Sequence, residues 1–391
     1  MPSLLYLPAH REPGVSRRLA IAVIALLGCT ALSSCTNPQR EREPAVDPDA
    51  ARASIARSIP AKVDNRDGWA IDIFAAFEAL QVRPTPEHVC AAIAVIEQES
   101  TFQANPSVPG LPAIAQREID ARADRYGIPK LVVRTALAIT SPTGASYRER
   151  LDQVQTERGL SDIFTDFIGM VPLGEKLFGR LNPVHTGGPM QVSIAFAEEQ
   201  SQRRRYPYPQ PGSVRNEVFT RRGGVYFGIA HLLDYPASYD DMLYRFADYN
   251  AGHYASRNVA FQSAVSSLSK IKLALDGDLL RHGSGATDPS NTELAIRRLA
   301  DRIEMNEAQI RADLELGEQD AFERSKLYSR VFALADKGRQ RPVPRAMLPT
   351  IRLESPKITR KLTTEWFARR VDERYDKCLA RSTAAKAQKT G

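Results

Sequence analysis

Three short strings hold most of the chemistry in this 391-residue chain: AVIEQESTFQANP at 94–106, GGPMQVS at 187–193 and DYNAGHY at 248–254. In the first, Glu97 and Glu99 close a stretch in which Val89, Ala92, Ile93 and Ile96 fall at helical spacing. A carboxyl on the last turn of such a helix, held against its apolar stripe, resists ionisation. It can then donate a proton to a leaving oxygen, which is general-acid chemistry. Glu97, only two residues from Glu99, points elsewhere on a helix and reads as a solvated or ion-paired group. Asp248 adds a carboxylate that could act on water, and His253 beside it reads as a surface or packing residue. The spacing of His, Cys and carboxylates offers no metal site, and no cofactor is expected.

The elements that must position these groups read as helices. The segment at 67–80 has Trp69, Ile73, Phe77 and Leu80 on one face. Thr85 then supplies an N-cap and Pro86 a first helical position for the helix that ends at Glu99. Short helices broken at Tyr126, Ser141 and Arg158 fill 111–187, the tract RRRYPYPQPGS at 203–213 reads as a loop, and amphipathic helices follow at 223–236 and 239–252. A polar gap at 276–291 leads to charged helical stretches at 292–316 and 318–337. Strand signals are scarce, so the fold class is mostly α. No internal repeat is present.

Composition fits a globular protein: 43% of residues are hydrophobic and 25% charged, which suits a buried core and excludes collagenous, wholly disordered and polytopic classes. The formal charge of +7 includes a cationic N-terminus, and basic residues persist beyond it. A basic face favours anionic wall polymer or lipid headgroups, while the absence of an aromatic-basic motif argues against nucleic acid. Arg17 and Arg18, an apolar run at 19–27 and small residues ending in LSSC at 32–35 form a bacterial export signal, too short in its apolar part to span a membrane. LSSC resembles the lipobox of lipoprotein precursors, which makes Cys35 the lipidated first residue. LLGC at 26–29 competes with it, and the longer apolar run before Cys35 favours the later site. The expected location is therefore the periplasm, with a lipid anchor in the outer membrane. Processing there leaves Cys90 and Cys378 as the only thiols of the folded part, either joined as one disulfide or buried separately.

Taken in order, the Glu-Ser pair, the Gly-x-Met-Gln turn and Tyr-Asn-Ala-Gly resemble the lytic transglycosylases of the lysozyme-like superfamily. GGVYFGIAHLL at 223–233 resembles the helix that lies between the last two motifs in that family. The resemblance implies Glu99 as catalytic acid and base and Ser100 as a support for the local backbone. Met190 and Gln191 are implied to line a glycan cleft, Tyr249 and Asn250 to approach the scissile bond, and Gly252 to keep the helix end thin, with Gly188 in the turn. It also implies a peptidoglycan strand as partner and a product ending in 1,6-anhydroMurNAc, formed without a second carboxylate because the sugar's own hydroxyl is the nucleophile. A hydrolytic muramidase and a catalytically silent wall-binding lipoprotein are the alternatives.

Two departures from the pattern stand out. Pro189 replaces a plain apolar residue in the turn, removing an N–H donor. Gln191 stands 92 positions after Glu99, where the family has roughly twenty residues, so a helical insertion must fill the interval. This is a lipoprotein variant of the pattern that resembles the DUF1615 family. The expected organisation is an export signal at 1–35, a tether at 36–62, a catalytic domain at 63–275 with the insertion at about 107–183, and a C-terminal helical extension at 276–391. The anchor is directly testable. The mature N-terminus should be an acylated Cys35, and N-terminal mass analysis that finds any other first residue contradicts the lipobox reading.

Overall fold

The structure is a computed structural model that describes residues 47–209, 212–281, 288–353 and 360–390; Cys35, Cys29 and the rest of the export segment lie outside these residues. The described chain is mostly helical. Helices α1 (Pro48–Ser58), α2 (Arg66–Leu80) and α3 (Pro86–Glu99) come first, followed by α4 (Leu111–Arg125), α5 (Lys130–Leu137), α6 (Tyr147–Gln153), α7 (Glu157–Gly169) and α8 (Gly174–Phe178). A two-stranded antiparallel hairpin, β1 (Thr186–Gly187) with β2 (Val192–Ser193), pairs Gly187 with Val192. After it run α9 (Ile194–Arg203), α10 (Val214–Val218), α11 (Arg221–Leu233), α12 (Met242–Ala251) and α13 (Ala255–Ser269). The last helices are α14 (Asn291–Arg297), α15 (Ala300–Ile303), α16 (Glu307–Leu314), α17 (Lys326–Asp336) and α18 (Thr364–Thr390).

Helix α3 sits at the centre. Thr85 caps it, its hydroxyl accepting from His88 N, and Pro86 opens it. Every residue from Val89 to Ile96 is buried, at 5% exposure or less. The stripe expected from the sequence is only part of that surface, because Cys90, Ala91, Ala94 and Val95 on the other faces are equally covered. A helix apolar on all sides must be enclosed. Helices α11 and α18 pack on α3, and α2 packs on α11.

Helix α18 alters the expected domain plan. The C-terminal 276–391 is not one extension: 291–336 forms a second core with α13, built on residues such as Phe261, Ile296, Phe322 and Val331, whereas Phe367, Ala368, Val371 and Cys378 of α18 enter the core of α3. Cys90 and Cys378 form a disulfide there, with Cα atoms 5.4 Å apart and both residues fully buried. The tether also ends earlier than expected. Asp47 caps α1, Pro48 opens it, and Ile55 and Ile59 are buried in the central core. Two buried isoleucines near the end of a capped helix outweigh the polar composition around them.

The insertion between α3 and the hairpin has a small core of its own around Leu111, Tyr147, Leu151 and Ile163. The 203–213 tract, read as a loop, carries Tyr206, which is buried and stacks on Phe227 of α11 with ring centroids 5.2 Å apart. Loop residues thus supply core here.

The Cys90–Cys378 bond closes a loop with a sequence separation of 288. Reducing it, or making the Cys90→Ala/Cys378→Ala variant, should lower unfolding free energy by about 5 to 6 kcal/mol in the chain-entropy account. Urea unfolding with and without reductant measures this, and coincident curves contradict it.

Candidate active site

Glu99 is the last residue of α3 and is half-buried. Ser100 follows as the C-cap, buried, with its Oγ donating to Ile96 O at 3.1 Å. Thr101 and Phe102 then take left-handed backbone at φ 51° and 61°. Non-glycine residues bear a steric cost in that region and persist there only where surrounding packing holds them. The hold is visible: Phe102 is buried edge-on against Trp69 of α2, with centroids 5.2 Å apart. The chain therefore turns sharply away just after Glu99.

The GGPMQVS string forms the hairpin and its turn. Gly188 has φ 74°, and a Cβ there would meet Val218 O at 2.0 Å. Gln191 is left-handed as well, at φ 50°. Met190 is fully buried rather than exposed on a cleft. It lies against Gly228 of α11, where a Cβ would stand 2.3 Å from its Sδ. The glycine clears room for the sulfur, so the GGVYFGIAHLL string works as a bed for the turn. Pro189 rests on the same helix beside Gly224.

Helix α12 brings Tyr249 to this turn. Its hydroxyl donates to Met190 O at 2.6 Å, and the residue is 9% exposed. Burial raises the phenol's pKa well above its ordinary value, and the nearby charge of Glu99 raises it further. Glu99, Tyr249 and Met190, drawn from all three strings, thus meet at one place. Gln191 turns to the insertion instead: its Nε2 donates to Glu157 Oε2 at 2.9 Å and to Gly188 O at 3.3 Å. Asn250 is exposed, and its Oδ1 accepts from Thr364 Oγ1 of α18 at 3.0 Å. Gly252 caps α12 at φ 106° with open space where a Cβ would be. Glu97 faces away toward α18, where burial lowers the pKa of Arg374 and the Glu97 charge opposes that shift.

Asp248 is not a carboxylate for activating water. It is fully buried and accepts from Tyr235 Oη at 3.1 Å, from Tyr239 Oη, from Tyr254 N at 3.1 Å and from Ser256 N at 2.7 Å. The last two are amides at the N-terminus of α13, whose own cap residue makes no side-chain bond. Asp248 therefore caps one helix from another and complements its dipole. Burial pushes its pKa up against the pull of those donors. His253, read as surface or packing, is a half-buried packing residue. It stacks between Tyr235 and His231, with centroids at 4.1 and 4.6 Å, and its Nε2 lies 2.7 Å from His231 O.

Glu157, His231, Thr364 and Gly228 had no signal of their own in the sequence analysis. The one usable hint was Gly224 and Gly228 one turn apart within a buried helix, a spacing that makes a groove. Among the described residues no group of His, Cys, Asp and Glu could hold a metal ion.

Comparison with known proteins gives the family. Residues 62–381 match the family model described as "Protein of unknown function (DUF1615)". The chain belongs to the DUF1615 family. An Escherichia coli (strain K12) relative, "Uncharacterized protein YaiW", is 54% identical over 360 residues, which cover 92% of this chain and 96% of that one. No solved structure matches. The matched region of this DUF1615 member includes both ends of the disulfide and every residue of the three strings.

His231 gives the site a pH signature. Its Nε2 donates to Tyr249 O at 3.2 Å, while Nδ1 is buried with no partner among the described residues. Burial pushes its pKa down to about 3 from 6.5, and the neighbouring His253 adds to this. Between those values the unfolded chain holds a proton that the folded site excludes, so this stability is complete above pH 6.5 and drains as pH falls. From pH 7 to pH 5 the native protein should lose about 2 kcal/mol more than His231→Gln, which keeps a donor for Tyr249 O. Urea midpoints at the two pH values test this, and equal losses contradict it.

Proposed function

We propose that this chain is a peptidoglycan lytic transglycosylase of lysozyme-like architecture, anchored by lipid in the periplasm at the outer membrane. The observation that carries the reading is the meeting of Glu99, the Met190 turn and Tyr249, three segments whose order along the chain already resembled that enzyme family. Glu99 ends a helix that cannot move, half-buried beside the buried Tyr249 phenol. A carboxyl so placed is positioned for general-acid work on a sugar bound beside it.

In the proposed reaction Glu99 protonates the glycosidic oxygen between MurNAc and GlcNAc as the C1–O bond breaks. The C6 hydroxyl of the same MurNAc then bonds to C1, and its proton passes to the Glu99 carboxylate. The acid is regenerated, the product ends in a 1,6-anhydro ring, and no water is consumed. Gly252 leaves open space at the end of α12, and exposed Asn250 beside it suits contact with the glycan. Met190 serves from behind, through its backbone carbonyl and the packing of its sulfur.

One observation favours a second reading. Glu157 of the insertion is a buried carboxylate bonded to Gln191, which follows Met190 in the turn. A second carboxylate at the site is what a hydrolytic muramidase would use to activate water. Asp248, enclosed by four donors, is unsuited to that task.

Digestion of sacculi by the full chain in heavy-oxygen water separates these readings. The transglycosylase should release 1,6-anhydroMurNAc ends without the label, and Glu99→Gln should lower the rate by about 10² to 10⁴ while glycan binding persists. Labelled reducing ends, abolished by Glu157→Gln, identify a hydrolase. No muropeptide release by folded protein leaves wall binding without turnover.

A further inference from the structure

Beside the candidate site, the insertion encloses a feature that glycan cleavage does not use. Helices α4 to α7 leave a cavity of about 690 Å³ among them, within the range of about 300 to 1,000 Å³ typical of small-molecule sites. Its walls are mainly apolar, with Ile114, Ile119, Val133, Leu160, Phe164 and Phe167 among them. Glu157 and Thr186 form the wall shared with Gln191.

Three further features narrow the occupant. The cavity is open on one side: Tyr126, Ile128 and Val132 line it and are also 72%, 41% and 54% exposed. Leu131 beside them is 73% exposed, and Leu137 is the sole buried residue of α5. A contiguous exposed apolar rim of this kind marks a binding surface rather than ordinary solvent-facing protein. The rim is also cationic. Arg122 lines the cavity one turn after Glu118, which also lines it; beyond them Arg125, Lys130 and Arg134 are exposed along the rim segment 122–134, where Asp124 is the single acid. Finally, Tyr147 lines the cavity, is fully buried, and has a hydroxyl without a hydrogen-bond partner among the described residues. A buried donor left unpaired is costly, so this wall is not packed to completion.

We propose that this cavity binds a single-chain acyl lipid with an acidic head. The hydrocarbon chain fills the apolar interior, each buried methylene contributing about 0.8 kcal/mol. The acid lies at the open rim, toward Arg122, Arg125 and Lys130. The site does not depend on Glu99 and stands or falls separately from the glycan reading.

Titration calorimetry of the full chain carrying Cys35→Ser, which removes any acyl group of its own, with monomeric oleate tests this. One oleate should bind per chain. Val132→Asp and Ile128→Asp, both at exposed rim positions, should weaken it at least about tenfold with an unchanged thermal midpoint, because each leaves a charge on the apolar wall. Lys130→Gln should weaken oleate but not oleyl alcohol, which has the same chain without the acid. Absence of saturable oleate binding overturns the proposal. Unchanged affinity in both aspartate variants does so too, as does affinity for phosphatidylglycerol vesicles without affinity for oleate monomers, which would make the rim a bilayer-docking face.

Discussion

Enclosure of α3 is the constraint on which the rest of the structure depends. Eight consecutive residues, Val89 to Ile96, have no solvent-facing side, so the protein must supply cover all round. Helix α11 and the distant α18 do so, the latter fastened through Cys378. A helix held in this way cannot tilt or slide without opening voids in a close-packed interior. Its last residue, Glu99, inherits that rigidity, and the left-handed backbone at Thr101 and Phe102 ends the helix abruptly.

Around that fixed end the supports are layered. Gly228 accepts the Met190 sulfur into α11, the turn offers Met190 O to Tyr249, and Tyr249 O receives His231. His231 in turn lies against His253, which stacks on Tyr235, whose hydroxyl reaches Asp248. The chain runs from the candidate acid to the capped start of α13 and contains few charges. Burial lowers the pKa of both its histidines, which disfavours an uncompensated cation in the interior. Buried polar groups of this kind are tolerated because nearly every one finds a partner.

The other two cores connect to this centre in different ways. The second joins it through α13: Arg257, fully buried, lies over the Tyr254 ring at 4.2 Å and donates to the carbonyls of Gln319 and Gly317. A buried guanidinium is stable only with such acceptors, so this arginine ties the helices after the polar gap to the last string. The insertion joins through Glu157 and Gln191, and its cavity abuts that same hydrogen bond. The candidate site and the cavity are thus neighbours, linked by that bond.

The sequence by itself determined much of this. Thr85 and Pro86 announced the start of α3, the apolar run announced its burial, and Gly-x-Met-Gln with Tyr-Asn-Ala-Gly marked the segments that meet Glu99. These signals are local, set by capping, periodicity and backbone restriction, and local signals survive in one dimension. The roles of Asp248 and Met190 were misjudged because each depends on what lies across space: two tyrosines and a helix start, a glycine on another helix. The same holds for Glu157, which has no distinguishing neighbours in sequence and gains its place only when the insertion folds back on the turn. Helix α18 reads as a charged terminal helix, yet its Phe367, Val371 and Cys378 cover the central helix. Composition along a chain cannot say which distant surface needs covering; only the packed structure, which must leave α3 no exposed face, decides that.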